Sequence, residues 1–383
     1  MSLILYIHHM KKLFVPAAFF LCAFANAQFS VRLIITDVAT RKNDDIYLSG
    51  NFNNWNPKDE NYKLKVFGGT RKSIVIKDMP AGVYAFKFTR GAWEKVETTA
   101  DGRDINDRVL EVKEDVSQEF TISGWKDDYP DAPKRYTASP QVHILDTSFN
   151  MPELNRKRRV WLYLPKGYAT SSKTYPVLYM HDGQNLFNEQ TAPFGEWGVD
   201  ECLDTLQQKL GKECIVVGID NSAHRATEYN PYDDPKEGKG EGKQYLEFIV
   251  NTLRPYIDSK YRTKKGPENT FIAGSSMGGL ISFYAMIKYP QIFGAGGIFS
   301  ASFWAAPEIF ADAEKFNPTT VQRFYMYAGK MEPANMVSNN DKMFDLLEKK
   351  QKYIIRRVTA PLGRHNEATW RQEFADFYKW LMN

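Results

Sequence analysis

The chain has 383 residues, 43% hydrophobic and 25% charged, an ordinary globular composition with length for two or three domains. Its formal net charge is +4, and Lys11 and Lys12 fall in a segment expected to be removed, which leaves about +2. So balanced a charge is far from implying nucleic acid or an anionic membrane as a partner.

Residues 1–27 read as an export signal. Lys11 and Lys12 form the charged start, Leu13 to Phe24 is apolar, and Ala25-Asn26-Ala27 supplies an A-x-A cleavage site before Gln28. The expected destination is periplasmic or secreted. Met10 is a second candidate start. Cys22 follows Leu21, not the small residue that lipid attachment favours. No later run is long enough to span a bilayer. Cys202 and Cys214 remain in the mature chain; two buried thiols are the expected reading, with a single bridge as the alternative.

Residues 28–123 alternate with period two between turn residues. Strands are expected over Val31 to Thr36, Asp45 to Leu48, Ser73 to Ile76, Tyr84 to Phe88 and Val109 to Val112. The pattern predicts a small all-β, immunoglobulin-like sandwich. Residues 124–141, with Pro130, Pro133 and Pro140, read as a linker.

Residues 142–383 alternate apolar strand-like runs with amphipathic helical stretches. Strands are expected over Val160 to Leu164, Val177 to His181, Ile215 to Ile219, Thr270 to Ala273, Ala295 to Phe299, Phe324 to Tyr327 and Tyr353 to Val358. Helices are expected over Gly242 to Ser259, Gly278 to Lys288, Asn340 to Lys350 and Thr369 to Met382. This alternation predicts an α/β fold with a doubly wound, mostly parallel sheet.

One stretch carries the chemistry. Phe271-Ile272-Ala273-Gly274-Ser275-Ser276-Met277-Gly278-Gly279 runs from a strand through G-x-S-x-G into a helix, the setting of the α/β-hydrolase nucleophile elbow. Only Ser276, not Ser275, has glycine at both −2 and +2. A serine hydroxyl needs a base beside it. Of the histidines left after signal removal, only His365 follows Ser276, as the order serine, acid, histidine requires. The acid should follow the strand Phe324 to Tyr327, and Glu332 is the choice, with Asp341 and Asp345 as rivals and a Ser-His dyad as the alternative. Oxyanion donors are expected at the N–H of Met277 and, in His181-Asp182-Gly183-Gln184, at the N–H of Gln184. His181 and Asp182 lack a second ligand cluster, so no metal and no cofactor are expected. Trp197, Arg225 and Trp304 are candidate pocket residues, Arg225 and Glu228 being spaced to pair.

These residues resemble the putative-esterase family of α/β-hydrolases, which includes the enterochelin, feruloyl and acetylxylan esterases. The matching pieces are Tyr179 to Phe187, Val217 to Asn221, Arg225 with Glu228-Tyr229, Gly274 to Gly279 and Gly363 to His365. The resemblance covers about residues 142–383 and implies ester hydrolysis. Feruloyl-type members often carry Asp in the acid loop where this chain offers Glu332. Ile46 to Pro57, Ala81 to Phe88 and Gly91-Ala92-Trp93 resemble starch- and glycogen-binding β-sandwich modules. That resemblance implies sugar stacking on Trp55 and Trp93; a module kept as scaffold is the alternative, since Thr89 to Ala92 departs from the Asp-Gly common there. The expected activity is therefore a serine carboxylic ester hydrolase acting on acylated polysaccharide or oligosaccharide. A siderophore-ester hydrolase is the second enzyme reading, and a carbohydrate-binding protein with an inactive hydrolase domain the third.

Overall fold

The computed structural model describes residues 28–383 apart from 103, 106 and 130–133. The expected export signal, with Lys11, Lys12 and Cys22, lies outside the described residues, as does the middle of the expected linker. Among the described residues no helix is long and apolar enough to cross a membrane.

The N-terminal region is a β-sandwich. One sheet runs in the order Lys65–Gly68, Arg71–Pro80, Gln28–Val38, Val116–Ile122; the other runs Tyr47–Gly50, Gly82–Thr89, Arg108–Val112. Period two follows from the pleat: Val31, Leu33 and Ile35 point inward to meet Phe86, Phe88, Leu110 and Val112. The sandwich extends beyond residue 123. Gly124–Trp125 pairs with Glu97–Thr98, and the Trp125 ring is fully buried in the sandwich core. The expected linker therefore gives up its first two residues. Its far end is fastened to the second domain, where the Ser139 N–H donates to Asp200 and the Thr137 hydroxyl to Glu196.

The second domain is built on eight strands: β1 (Val142–Met151), β2 (Arg156–Tyr163), β3 (Val177–His181), β4 (Ile215–Ile219), β5 (Thr270–Ser275), β6 (Ala295–Phe299), β7 (Arg323–Gly329) and β8 (Ile354–Ala360). Their order across the sheet is β1-β2-β4-β3-β5-β6-β7-β8. Strands β3 to β8 are parallel to one another, while β2 is antiparallel to both β1 and β4. The helices used below are α1 (Val199–Leu210), α2 (Met277–Lys288), α3 (Glu308–Lys315), α4 (Ala334–Glu348) and α5 (Glu367–Leu381).

Both faces of the sheet are covered, which is why the central strands read as unbroken apolar runs. Leu162, Tyr179, Val217, Ile272 and Met326 face one way, onto α2, α3 and α4. Trp161, Leu178, Val216, Phe271 and Tyr325 face the other, onto α1 and α5. The parallel strands end together at one edge, and the loops leaving that edge carry the expected site residues.

Candidate active site

Strand β5 ends at Ser275 and α2 begins at Met277, so Ser276 alone makes the turn. It does so at φ 58°, ψ −121°, a backbone region that residues with a Cβ rarely occupy. The turn is held by the Ser276 N–H donating to the Phe299 carbonyl at 2.9 Å, while the Ser302 N–H donates to the Ser276 carbonyl at 3.0 Å. Gly274 is required by contact: a Cβ there would lie 2.8 Å from the Gly278 carbonyl oxygen. The Ser276 hydroxyl shares a hydrogen bond with the Ser302 hydroxyl at 3.1 Å.

His365 lies in the loop between β8 and α5. Its Nδ1 is 3.1 Å from Oε2 of Glu332, a side chain with no exposed surface, in the loop after β7. The other oxygen, Oε1, accepts from the Ser300 hydroxyl at 2.6 Å and from the Gly329 N–H at 2.8 Å. Trp370 Nε1 donates to Ser300 at 3.0 Å, so the carboxyl group is held on every side by groups that are themselves fixed. The two loops are tied directly by the Met331 N–H donating to the Gly363 carbonyl. Asp341 pairs with Arg357, and Asp345 lies 3.8 Å from the same guanidinium.

Met277 opens α2, whose first N–H groups have no acceptor within the helix. The other expected donor, Gln184, sits in a single helical turn, Gly183–Asn185, after β3. Its carbonyl accepts from the Thr191 hydroxyl and its side-chain oxygen from the Asn221 N–H, which fixes the peptide on both flanks. Asp182, at the head of this turn, approaches the elbow closely enough that a Cβ on Gly278 would lie 3.3 Å from its carboxylate.

Two expectations about the pocket are corrected. Arg225 pairs with Asp182, through Nε at 2.7 Å and Nη2 at 2.8 Å, and its Nη2 reaches the Ser275 carbonyl at 3.4 Å. Burial pushes the Asp182 carboxyl up, yet the Arg225 guanidinium and Asn221 amide hold it below the usual carboxylate range. Glu228 is instead buried against Arg156 and Arg158. The i,i+3 spacing brought Arg225 and Glu228 onto one short turn, but each found a partner with better two-point geometry elsewhere. Arg225 thus braces the loop after β3 and does not line the cavity. Trp197 is 2% exposed, packed against Phe299, Trp370 and Phe374. It is core, because α5 lies over the loop that carries it.

A cavity of about 670 Å³ opens at this edge, and Ser276, Ser302, His365 and Trp304 line it. Trp304 is 52% exposed, so its ring is available to a ligand. The opposite wall comes from the sandwich: Trp55 and Trp93, with Lys87 and Asp107, face the same space. The two indoles are 6.2 Å apart and tilted by 40°. The asparagines around Trp55 shape its turn; Asn53 accepts from the Gly50 N–H and donates to the Leu48 carbonyl. Sequence reading named both tryptophans but not their placement beside Ser276. The loop Ser300 to Trp304 is expected at this edge of the pocket, but its sequence assigns no individual role to Ser300 or Ser302.

Cys202 and Cys214 are free thiols, pushed up to about 11 and about 12 by burial. His181 is buried beside Tyr245, its Nδ1 2.8 Å from the tyrosine hydroxyl, and burial pushes it down to about 3. Among the described residues no group of three or more His, Cys, Asp or Glu side chains is placed to hold a metal ion.

The chain is similar to several known proteins. It is 34% identical over 153 residues to "Uncharacterized protein YbbA" of Bacillus subtilis strain 168, an overlap covering 38% of this chain and 58% of that one. It is 26% identical over 246 residues to an endo-1,4-beta-xylanase/feruloyl esterase of Xylanibacter ruminicola, covering 60% of this chain and 30% of that one. The overlap thus spans less than two thirds of either relative's own length. Among solved structures, the enterobactin esterase FES from Shigella flexneri, determined in the presence of enterobactin, superposes with a TM-score of 0.55 at 16% identity, covering 88% of each chain. That likeness is one of fold, and it extends through both domains. The family model described as "Putative esterase" matches residues 151–381, well over half of the chain, and the protein belongs to that esterase family.

Proposed function

We propose that this esterase is an exported serine carboxylic ester hydrolase working through an acyl-enzyme, with Ser276 as nucleophile, His365 as base and Glu332 as the acid that orients the base. The observation that carries the proposal is the convergence of a strained Ser276 and a Glu332-bound His365 on one cavity. With Glu332 accepting at Nδ1, the imidazole keeps a lone pair at Nε2 for the serine proton. Ser276 Oγ attacks the ester carbonyl carbon as that proton passes to His365. The N–H groups of Met277 and Gln184 stabilise the oxyanion. Collapse expels the alcohol, which leaves with the proton from His365. Water, deprotonated by the same imidazole, then releases the acid. The Ser276–Ser302 hydrogen bond is the resting arrangement; catalytic hydrogen bonds tighten when substrate enters.

The cavity wall supports one substrate class in particular. Trp55, Trp93 and Trp304 offer flat apolar faces of the kind that pack on sugar rings or aryl groups. An acylated polysaccharide or oligosaccharide, bearing acetyl or feruloyl groups, fits this wall, and the relative from Xylanibacter ruminicola carries the feruloyl esterase name. A siderophore ester is the second reading, favoured by the net positive charge of the Lys87, Asp107 and Arg364 cluster in the wall, which would face an acidic catecholate complex. Arg225 is occupied by Asp182 and takes no part in that contact.

The test has two stages. Turnover of p-nitrophenyl acetate by the wild type, abolished in Ser276→Ala, supports the serine mechanism; equal turnover by the variant overturns it. Ferulate release from arabinoxylan, compared with hydrolysis of a catecholate triester, then separates the two substrate readings.

A further inference from the structure

The sandwich meets the catalytic loop through charge as well as through its tryptophans. Arg364 immediately precedes His365. Its guanidinium reaches across the domain boundary to Asp107, with Nε 2.7 Å from Oδ2, and Nη2 donates to the Asp107 carbonyl at 3.3 Å. One residue of the sandwich therefore meets this arginine twice, its carboxylate as an ion pair with no hydrogen bond from Nε and its main-chain carbonyl as a hydrogen-bond acceptor. The Asp107 carboxylate also lies 3.6 Å from Lys87 Nζ. The side chains of Asp107, Arg364 and Lys87 are only 12%, 20% and 17% exposed, so the cluster is shielded and its attractions are worth more than those of a surface pair.

The rest of the loop is tied to its own domain. Asn366 caps α5 by accepting from the Thr369 N–H at 3.0 Å, and the Gly363 carbonyl accepts from the Met331 N–H at 3.0 Å. Those ties hold the residues on either side of the Arg364–His365 pair, and the Arg364 main chain is held as well, its N–H donating to the Thr369 hydroxyl at 3.3 Å and its carbonyl accepting from the Asn366 N–H at 3.0 Å. Arg364 receives its side-chain tie from Asp107. The Glu332 contact fixes one edge of the imidazole but leaves the backbone beneath it to be set by these attachments.

We propose that Asp107 is a positioning residue for catalysis: by gripping Arg364 it sets the backbone of the His365 loop, so the sandwich helps to place the general base. The inference rests on the serine-hydrolase reading above and goes beyond substrate binding. It predicts that the sandwich affects turnover of an ester too small to depend on the tryptophan wall.

The experiment uses the full chain and p-nitrophenyl acetate, with Asp107→Ala, Asp107→Glu, Arg364→Ala and the Asp107→Ala/Arg364→Ala double variant. Asp107→Ala should lower kcat about tenfold with KM within about twofold, since a displacement of an ångström or less at the base costs this much. Asp107→Glu, which keeps the charge, should recover most of the loss. Arg364→Ala should match Asp107→Ala, and the double variant should lose no more than either, because the two act as one unit. Circular dichroism and thermal unfolding confirm that each variant is folded, and Asp107→Asn serves if Asp107→Ala is not. A folded Asp107 variant with kcat within twofold of wild type, while Ser276→Ala is dead, overturns the inference and leaves the hydrolase reading standing. Losses that add in the double variant also overturn it. Turnover retained in Ser276→Ala sinks both.

Discussion

Ser276 is held in a conformation that most side chains avoid, and the strain is tolerated because the neighbouring backbone fixes both its N–H and its carbonyl. Replacing the hydroxyl, in Ser276→Ala, should lower kcat by about 10⁴-fold or more in steady-state assays. Glu332→Gln retains the size of the acid but loses its charge; kcat should fall by about 10²-fold or more, with a smaller change in KM. Glu367, two residues beyond the base, makes a prediction about pH. Burial pushes its carboxyl up to about 7, while Oε1 accepts from Asn185 Nδ2 at 3.1 Å. Below the ordinary value of 4.5 the group is neutral in both folded and unfolded chains. As pH rises toward 7 the unfolded chain ionises first, so stability falls over that window and then levels off. Glu367→Gln should therefore be more stable than wild type at pH 8, by up to about 3 kcal/mol, and should converge with it near pH 4.5. Urea unfolding at the two pH values checks the sign. The turn at Ser276 was legible in the sequence because glycine spacing constrains it, and chain order pointed to the His365 and Glu332 that the fold brings into contact. The partner of Arg225 was not: Asp182 lies 43 positions away, and only the folded loops bring the pair together.

At the scale of elements, the strand–turn–helix around Ser276 depends on how closely β5 approaches α2. Gly274→Ala would place a methyl against the Gly278 carbonyl oxygen, a main-chain atom that cannot swing aside. It should destabilise the fold by about 2–3 kcal/mol, read as a lower denaturation midpoint with unchanged slope. Strands β3 to β7 were legible because burial on both faces leaves them as apolar runs. The edge strand β1 was not, since its exposed His143, Ile144 and Asp146 blur the alternation. Helix α1 escaped notice for a related reason: only part of Val199–Leu210 is buried, chiefly Val199, Asp200, Leu203 and Gln207. Two of those four residues are polar, which weakens a hydrophobic periodicity. Trp197 was misassigned because a tryptophan in a loop gives no sign of whether a helix will cover it.

Across the whole molecule, the cavity beside Ser276 is shared by two folding units. Trp93 is 40% exposed and sits on the wall facing Ser276. Trp93→Ala should raise KM for acylated polysaccharide by about 3- to 10-fold, and by more than for p-nitrophenyl acetate, in parallel initial-rate assays. The two architectures were each legible from their periodicities. Their mutual placement was not, because the contacts that create it, such as Asp107 with Arg364, join loops 257 positions apart and carry no periodic signature. A chain cut back to residue 142 would consequently be a different catalyst and not a leaner edition of this one. Its trench would keep a floor but lose a bank, letting bulk solvent reach Ser276 from the side that the indoles now occupy.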